Sequence, residues 1–93
     1  MKIDFDPIKD ARNFEKHGIS LAEAETLLGG FIIEREDDRK DYGEVRIIAT
    51  GEISGRVFVC VYTRRGNAFR PISLRPANKV ERNAYAQAKA DTA

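Results

Sequence analysis

Cysteine occurs once in the 93 residues, at Cys60, so neither an internal disulfide nor a multi-cysteine metal site can form. Histidine also occurs once, at His17, which excludes a polyhistidine metal site and a nuclease mechanism built on two histidines. Tryptophan is absent. No apolar run approaches the roughly 20 residues that span a bilayer. The opening Met1-Lys2-Ile3-Asp4-Phe5-Asp6 has no apolar signal region, so a cytoplasmic protein with no membrane partner is expected. Repeats, low-complexity stretches and linkers are missing too. A chain of 10.5 kDa is then expected to be one domain, residues 1–93, with one modest core. It is too small for a dinucleotide fold plus a substrate domain.

Charge is plentiful but unevenly placed. Residues 1–44 carry seven Lys/Arg and twelve Asp/Glu; residues 45–93 carry nine and three. The net charge of +1 therefore hides an acidic half and a basic half. A basic face for a polyanion or an acidic partner is one consequence. The other is that the halves interleave and neutralise each other.

The elements follow from local chemistry. Lys2 to Phe5 alternates and predicts a short edge strand. Asp6-Pro7 predicts a helix start, because Asp accepts from free backbone N–H groups and Pro has none to lose. Gly18 is placed to end that helix in the left-handed conformation. Ser20-Leu21-Ala22-Glu23 has capping-box spacing and predicts a helix to Leu28, with Leu21, Ala24, Leu27 and Leu28 inward. Strands are expected over 31–36, 44–50, 56–63 and 68–75, with a solvated acidic loop over 36–41. Arg56 to Thr63 has two apolar faces, Val57/Val59/Val61 and Phe58/Cys60/Tyr62, and should be central. Pro71 cannot donate to a ladder and argues for an edge or a bulge. Asn78 to Glu81 repeats the box before a helix over about 79–90. The expected class is α+β: a small antiparallel sheet, an N-terminal helical hairpin and a C-terminal helix, the helices gathered on one side.

These residues resemble a known family. Asp6-Pro7, Lys9, Arg12-Asn13, Lys16-His17-Gly18-Ile19-Ser20 and Ala24 are similar to the N-terminal signature of BrnT-type toxins. Glu44, Arg46, Gly51 and the Val-rich strand follow in order. Arg70, Ile72-Ser73 and Arg75, then Ala77, Glu81-Arg82 and Tyr85, resemble the family's closing motifs. The resemblance covers nearly the whole chain. It implies a RelE-like fold and a ribonuclease toxin of a type II toxin–antitoxin pair, acting without a cofactor. It also implies a BrnA-type antitoxin with a ribbon-helix-helix DNA-binding part, whose complex with the toxin represses its own promoter. Promoter DNA would be met only through the antitoxin. Leu74, Pro71, Pro76 and Val45 depart from the pattern, and they favour a second reading: a catalytically weak module acting as antitoxin partner and co-repressor.

Metal-independent RNA cleavage sets the ribose 2′-OH against the adjacent phosphate. A base takes the 2′-OH proton, an acid protonates the leaving 5′-oxygen, and cations hold the phosphate. His17 is the acid/base candidate by its near-neutral pKa, although a helix-end imidazole can equally cap carbonyls. Glu44 is the carboxylate candidate, on one face of an alternating strand with Arg46; the plain alternative is an exposed ion pair. Arg75 is the foremost phosphate clamp and Arg64 the next, because a planar fork binds two oxygens at once. Arg75 and Ser73 share one strand face and Arg70 the other, unless a bulge intervenes at Pro71. Lys16, Arg46, Arg70, Ser73, Arg82 and Tyr85 complete the expected RNA contacts. Tyr85 can stack a base, but packing is the plainer reading. Lys9 and Arg12 read as helix solvation, and Cys60 as a small buried apolar residue.

Overall fold

A computed structural model of the chain describes residues 1–92; Ala93, the last residue of the expected domain, lies outside them. The order is β1 (Lys2–Ile3), α1 (Pro7–His17), a 3-10 turn (Leu21–Glu23), α2 (Ala24–Leu28), β2 (Ile33–Glu36), β3 (Ile47–Ile53), β4 (Arg56–Arg65), β5 (Ala68–Pro76) and α3 (Lys79–Thr92). The class is α+β, as expected. The sheet is mixed, not antiparallel: its five strands run β1-β5-β4-β3-β2, and β1 lies parallel to β5. The reason is connectivity. The 11-residue α1 and the turn after it stand between β1 and the hairpins, so β1 reaches the sheet edge without a hairpin turn. No helix of the described residues is long and apolar enough to cross a membrane.

Asp6 caps α1 through Ile8 N–H at 2.8 Å, with Pro7 at the first helical position. Gly18 ends it at φ 73°, its N–H reaching Phe14 O at 2.7 Å. The expected hairpin partner is cut down. Ser20 Oγ accepts from Ala22 N–H, but the second half of the box belongs to Asp10. Its Oδ1 accepts from Ser20 Oγ at 2.9 Å and from Leu21 N–H at 2.7 Å. A carboxylate from α1 thus starts a single 3-10 turn, and only five residues of α-helix follow.

Leu21, Ala24, Leu27 and Leu28 are buried, and they pack with Ala49, Ile53, Phe58, Cys60, Tyr62 and Leu74 on one sheet face. Gly51 lets α2 approach β3: a Cβ there would meet Leu27 Cγ at 2.9 Å. Ile48, Val59 and Ala77 form a smaller cluster on the second face, flanked by Val57 and Val61. Not all helices lie on one side. α3 is tied to second-face residues, Glu81 to Arg75 and Lys89 to Glu52.

Two strand details decide the site. β4 and β5 slip register: Val61 faces Ser73 while Tyr62 faces Pro71, leaving Ile72 as a bulge. Pro71, which cannot donate to the ladder, sits beside that bulge, opposite Tyr62. The bulge flips parity, so Arg70, opposite Thr63, shares the second face with Ser73 and Arg75, opposite Val61 and Val59. The separation of Arg70 from Ser73 and Arg75 expected of an unbroken strand is corrected accordingly. Past Phe69, β1 no longer covers the edge of β5, and a side chain takes its place. Asn13, buried on α1, donates Nδ2 to Leu74 O at 2.9 Å and accepts from Leu74 N–H at 3.0 Å. The same Nδ2 reaches Ile19 O at 2.9 Å. One amide therefore fixes α1, the turn after it and β5 to one another.

Candidate nucleic-acid cleft

Asn13 holds α1 against β5 with a cleft of about 260 Å³ between them. Lys9, Arg12, Lys16 and His17 line it from the helix and Ser73 from the strand bulge. The helix residues recur at three- and four-residue steps, the spacing that stacks side chains on one face. No acidic side chain lines the cleft. His17 is half-buried at the last position before the Gly18 turn. Burial first, then the Lys16 ammonium and the Arg75 guanidinium, lower its pKa below the usual 6.5. At neutral pH the imidazole is therefore uncharged and able to accept a proton.

Arg75 extends from the next position on that face of β5, two residues after Ser73. Its fork binds both Glu81 oxygens at 2.8 Å, and Nη1 also donates to Pro76 O at 3.3 Å. Glu81 completes the expected box, accepting from Asn78 N–H while Asn78 Oδ1 accepts from Glu81 N–H, both at 2.8 Å. The Arg75 hydrogen bonds bring the Glu81 carboxyl down to about 2.

The remaining candidates stand apart. β3 begins at Ile47, later than expected, so Glu44 and Arg46 sit in the preceding loop and not on a strand face. There Glu44 lies 3.5 Å from Arg46 Nε and 3.7 Å from Arg65 Nη2, and Arg46 stacks 4.0 Å over the Tyr42 ring. Arg46 Nε is buried without a hydrogen-bond partner. Arg64 lies 4.2 Å over the Phe69 ring, and Arg70 pairs with Asp4 at 3.0 Å. Arg82 donates to Ala77 O at a second cleft, and buried Tyr85 donates its hydroxyl to Phe31 O at 2.7 Å. Cys60 is fully buried, its thiol pushed up to about 12 by burial. The acidic loop is not simply solvated. Asp37 is buried, clasped by Arg39 Nε at 2.7 Å and Nη2 at 2.8 Å, and its carboxyl is held well below the usual range by those bonds.

One cleft thus joins Lys16, His17 and Ser73, with Arg75 within electrostatic reach; Glu44, Arg46, Arg64, Arg70, Arg82 and Tyr85 lie outside it. Lys9 and Arg12, read as helix solvation, are exposed and also line this cleft, at the spacing that puts them on one helix face with Lys16. Asn13 and Glu81 were missed as positioning groups. An Asn in a helix interior, where its side chain competes with the backbone, was the clue to the first. Among the described residues no group of three or more His, Cys, Asp or Glu side chains is placed to hold a metal ion.

Comparison with known proteins gives the family. No curated protein matches the chain. A family model described as the ribonuclease toxin, BrnT, of type II toxin–antitoxin systems matches residues 5–81, a span that starts before Lys9 and ends on Glu81. The match covers well over half of the sequence, and the chain belongs to the BrnT family of ribonuclease toxins of type II toxin–antitoxin systems.

Proposed function

We propose that this toxin cuts RNA in the α1–β5 cleft, without a metal ion, by attack of a ribose 2′-OH on the adjacent phosphate. The observation that carries the reading is the lining: three cations and the His17 imidazole converge there with no carboxylate among them. Neutral His17 takes the 2′-OH proton as the new O–P bond forms. Lys9, Arg12 and Lys16 hold the phosphate oxygens as charge builds on them, and the Ser73 hydroxyl donates from the opposite wall. Lys16, next to the base, is the candidate acid for the leaving 5′-oxygen. Arg75 adds its fork once Glu81 shares it. The cleft offers a cationic, nitrogen-rich donor set, which suits phosphate rather than a divalent cation.

Neutralisation falls to a BrnA-type ribbon-helix-helix antitoxin that covers this cleft, with the complex repressing its own promoter in the cytoplasm and the toxin keeping a RelE-like fold. Ile8 on α1, 64% exposed, gives that partner an apolar anchor beside Lys9 and Arg12. A second reading, the catalytically weak module, draws on one observation: Glu81 already fills the Arg75 fork.

Induced expression of the chain alone tests the proposal. Growth arrest with degradation of extracted RNA, relieved by co-expressing the adjacent reading frame, is expected. Cleavage by the purified protein should persist in a chelator. Normal growth with a folded protein and intact RNA would give the second reading its place.

A further inference from the structure

A second cleft, of about 300 Å³, opens where β5 hands over to α3. Arg56 and Arg82 line it, with Gly55, Val57, Pro76 and Ala77. No acidic side chain is among these, and neither arginine is in an ion pair among the described residues. Both guanidinium groups are nevertheless held. Arg82 donates one Nη1 bond to Ala77 O at 2.9 Å, leaving its other N–H groups open. Arg56 lies 5.3 Å over the Phe58 ring. The nearby carboxylate, Glu81, is consumed by Arg75 and Asn78 N–H. Two restrained cations around a hollow, with no internal counter-charge, make a site for an anion.

The strand between the clefts says which anion. Ser73 lines the first and Ala77 the second; four residues of extended chain separate them by ~13 Å. Arg75 lies between, its Nη1 bonded to the carbonyl of Pro76 in the second cleft's wall. Along β5 the cations therefore come in the order α1 rim, Arg75, then the cleft of Arg82 and Arg56, with only Arg75 carried by the strand itself. A polyanion with regularly spaced charges fits such a track better than a single small anion does. We infer that the Arg56–Arg82 cleft binds a backbone phosphate of the same RNA strand, about two nucleotides from the phosphate held at His17. This deepens the reading of the first cleft and rests on it. The contact is to phosphate, so it adds affinity and a minimum substrate length but no base preference.

Binding to uncleavable oligonucleotides, deoxy at the scissile ribose, tests it without relying on turnover. The probes are a dinucleotide, with a single phosphodiester, and a decanucleotide, titrated against the full chain at several salt concentrations. The wild-type chain should gain affinity with length. The Arg56→Ala, Arg82→Ala double variant should lose about tenfold on the decanucleotide only, and its salt slope should flatten by about 0.7, one single-strand phosphate contact. The Arg56→Lys, Arg82→Lys pair keeps both charges and should restore most of the slope, which separates charge from folding. Equal affinity for the two alanine and wild-type chains on the decanucleotide would overturn the inference, as would an equal loss on both lengths. Lys16→Ala separates the underlying reading: it should weaken both lengths, and if it weakens neither, the first cleft is not the RNA site.

Discussion

Two regions of this molecule gather arginines and lysines, and they treat them oppositely. In the loop before β3, cations meet carboxylates: Arg39 clasps Asp37, and Arg46 and Arg65 flank Glu44. Along α1 and β5, Lys9, Arg12 and Lys16 face a cleft with no acidic lining. Like charges repel, so their convergence costs free energy that a paired cluster does not. The loop cluster resolves its own electrostatics and fastens the loop. The cleft leaves its charge for a ligand. Counting cations alone, three named in each, would have ranked the two regions equally; pairing separates them.

The widest test of that difference removes the central group of each region. His17→Ala should lower the cleavage rate by about 10²- to 10⁴-fold, the range for losing a positioned base. Glu44→Gln should stay within about threefold, because its partners lie outside the cleft. Rates on a quenched fluorescent oligoribonucleotide decide it. Comparable losses in both variants would erase the distinction and return Glu44 to the site. The pH profile sharpens the result. The lowered His17 pKa means the imidazole charges only below its ordinary 6.5, so activity should hold through neutrality and fall on an acid limb centred below 6.5. Lys16→Met removes one cause of the lowering and should move that limb upward.

Much of the frame was legible in the chain itself. The Asp6-Pro7 start, the Gly18 stop, the inward leucines and the two-faced central strand are all local rules, each satisfied within a few residues. What escaped depends on chain segments meeting across distance. The parallel edge strand, the Ile72 bulge that carries Arg70 to the second face, and the Asn13 clamp cannot be seen until β5 has its neighbours. The site divided in the same way. Lys16, His17 and Ser73, chosen from chemistry and resemblance, meet in one cleft, whereas Glu44 and Arg46 were put on a strand face by a strand start that came three residues too early.

The Asn13 clamp is the next place to press, because the cleft has no counterpart to the ion pairs that fasten the loop. Asn13→Ala strands the N–H and carbonyl of Leu74, both buried and both without another partner at that edge. The expected loss is about 2–4 kcal/mol, read as a lower urea midpoint. Asn13→Asp should be worse, since a carboxylate would face two carbonyls where an amide donates. A loss below about 0.5 kcal/mol for Asn13→Ala would mean that α1 is held by its apolar contacts alone.

The smallest expected effect lies at the one tight ion pair beside the cleft. Glu81 falls from its ordinary 4.5 to about 2, chiefly through the Arg75 hydrogen bonds. A carboxylate lowered on folding stabilises the folded chain above its unfolded pKa. That contribution disappears as pH falls through the folded value, so the window is about pH 4.5 down to about 2. The shift at face value is ~3 kcal/mol. The Arg75 side chain is 40% exposed, and solvent screening leaves about 1 kcal/mol. Glu81→Gln should therefore unfold at lower urea than wild type at pH 6, and the gap should close as both are titrated toward pH 2. A gap that stays constant across that window would assign the Glu81 effect to its cap on Asn78 rather than to its charge. The Arg75–Glu81 pair would then contribute little net stability, and drawing the Arg75 fork from Glu81 to a phosphate would cost little.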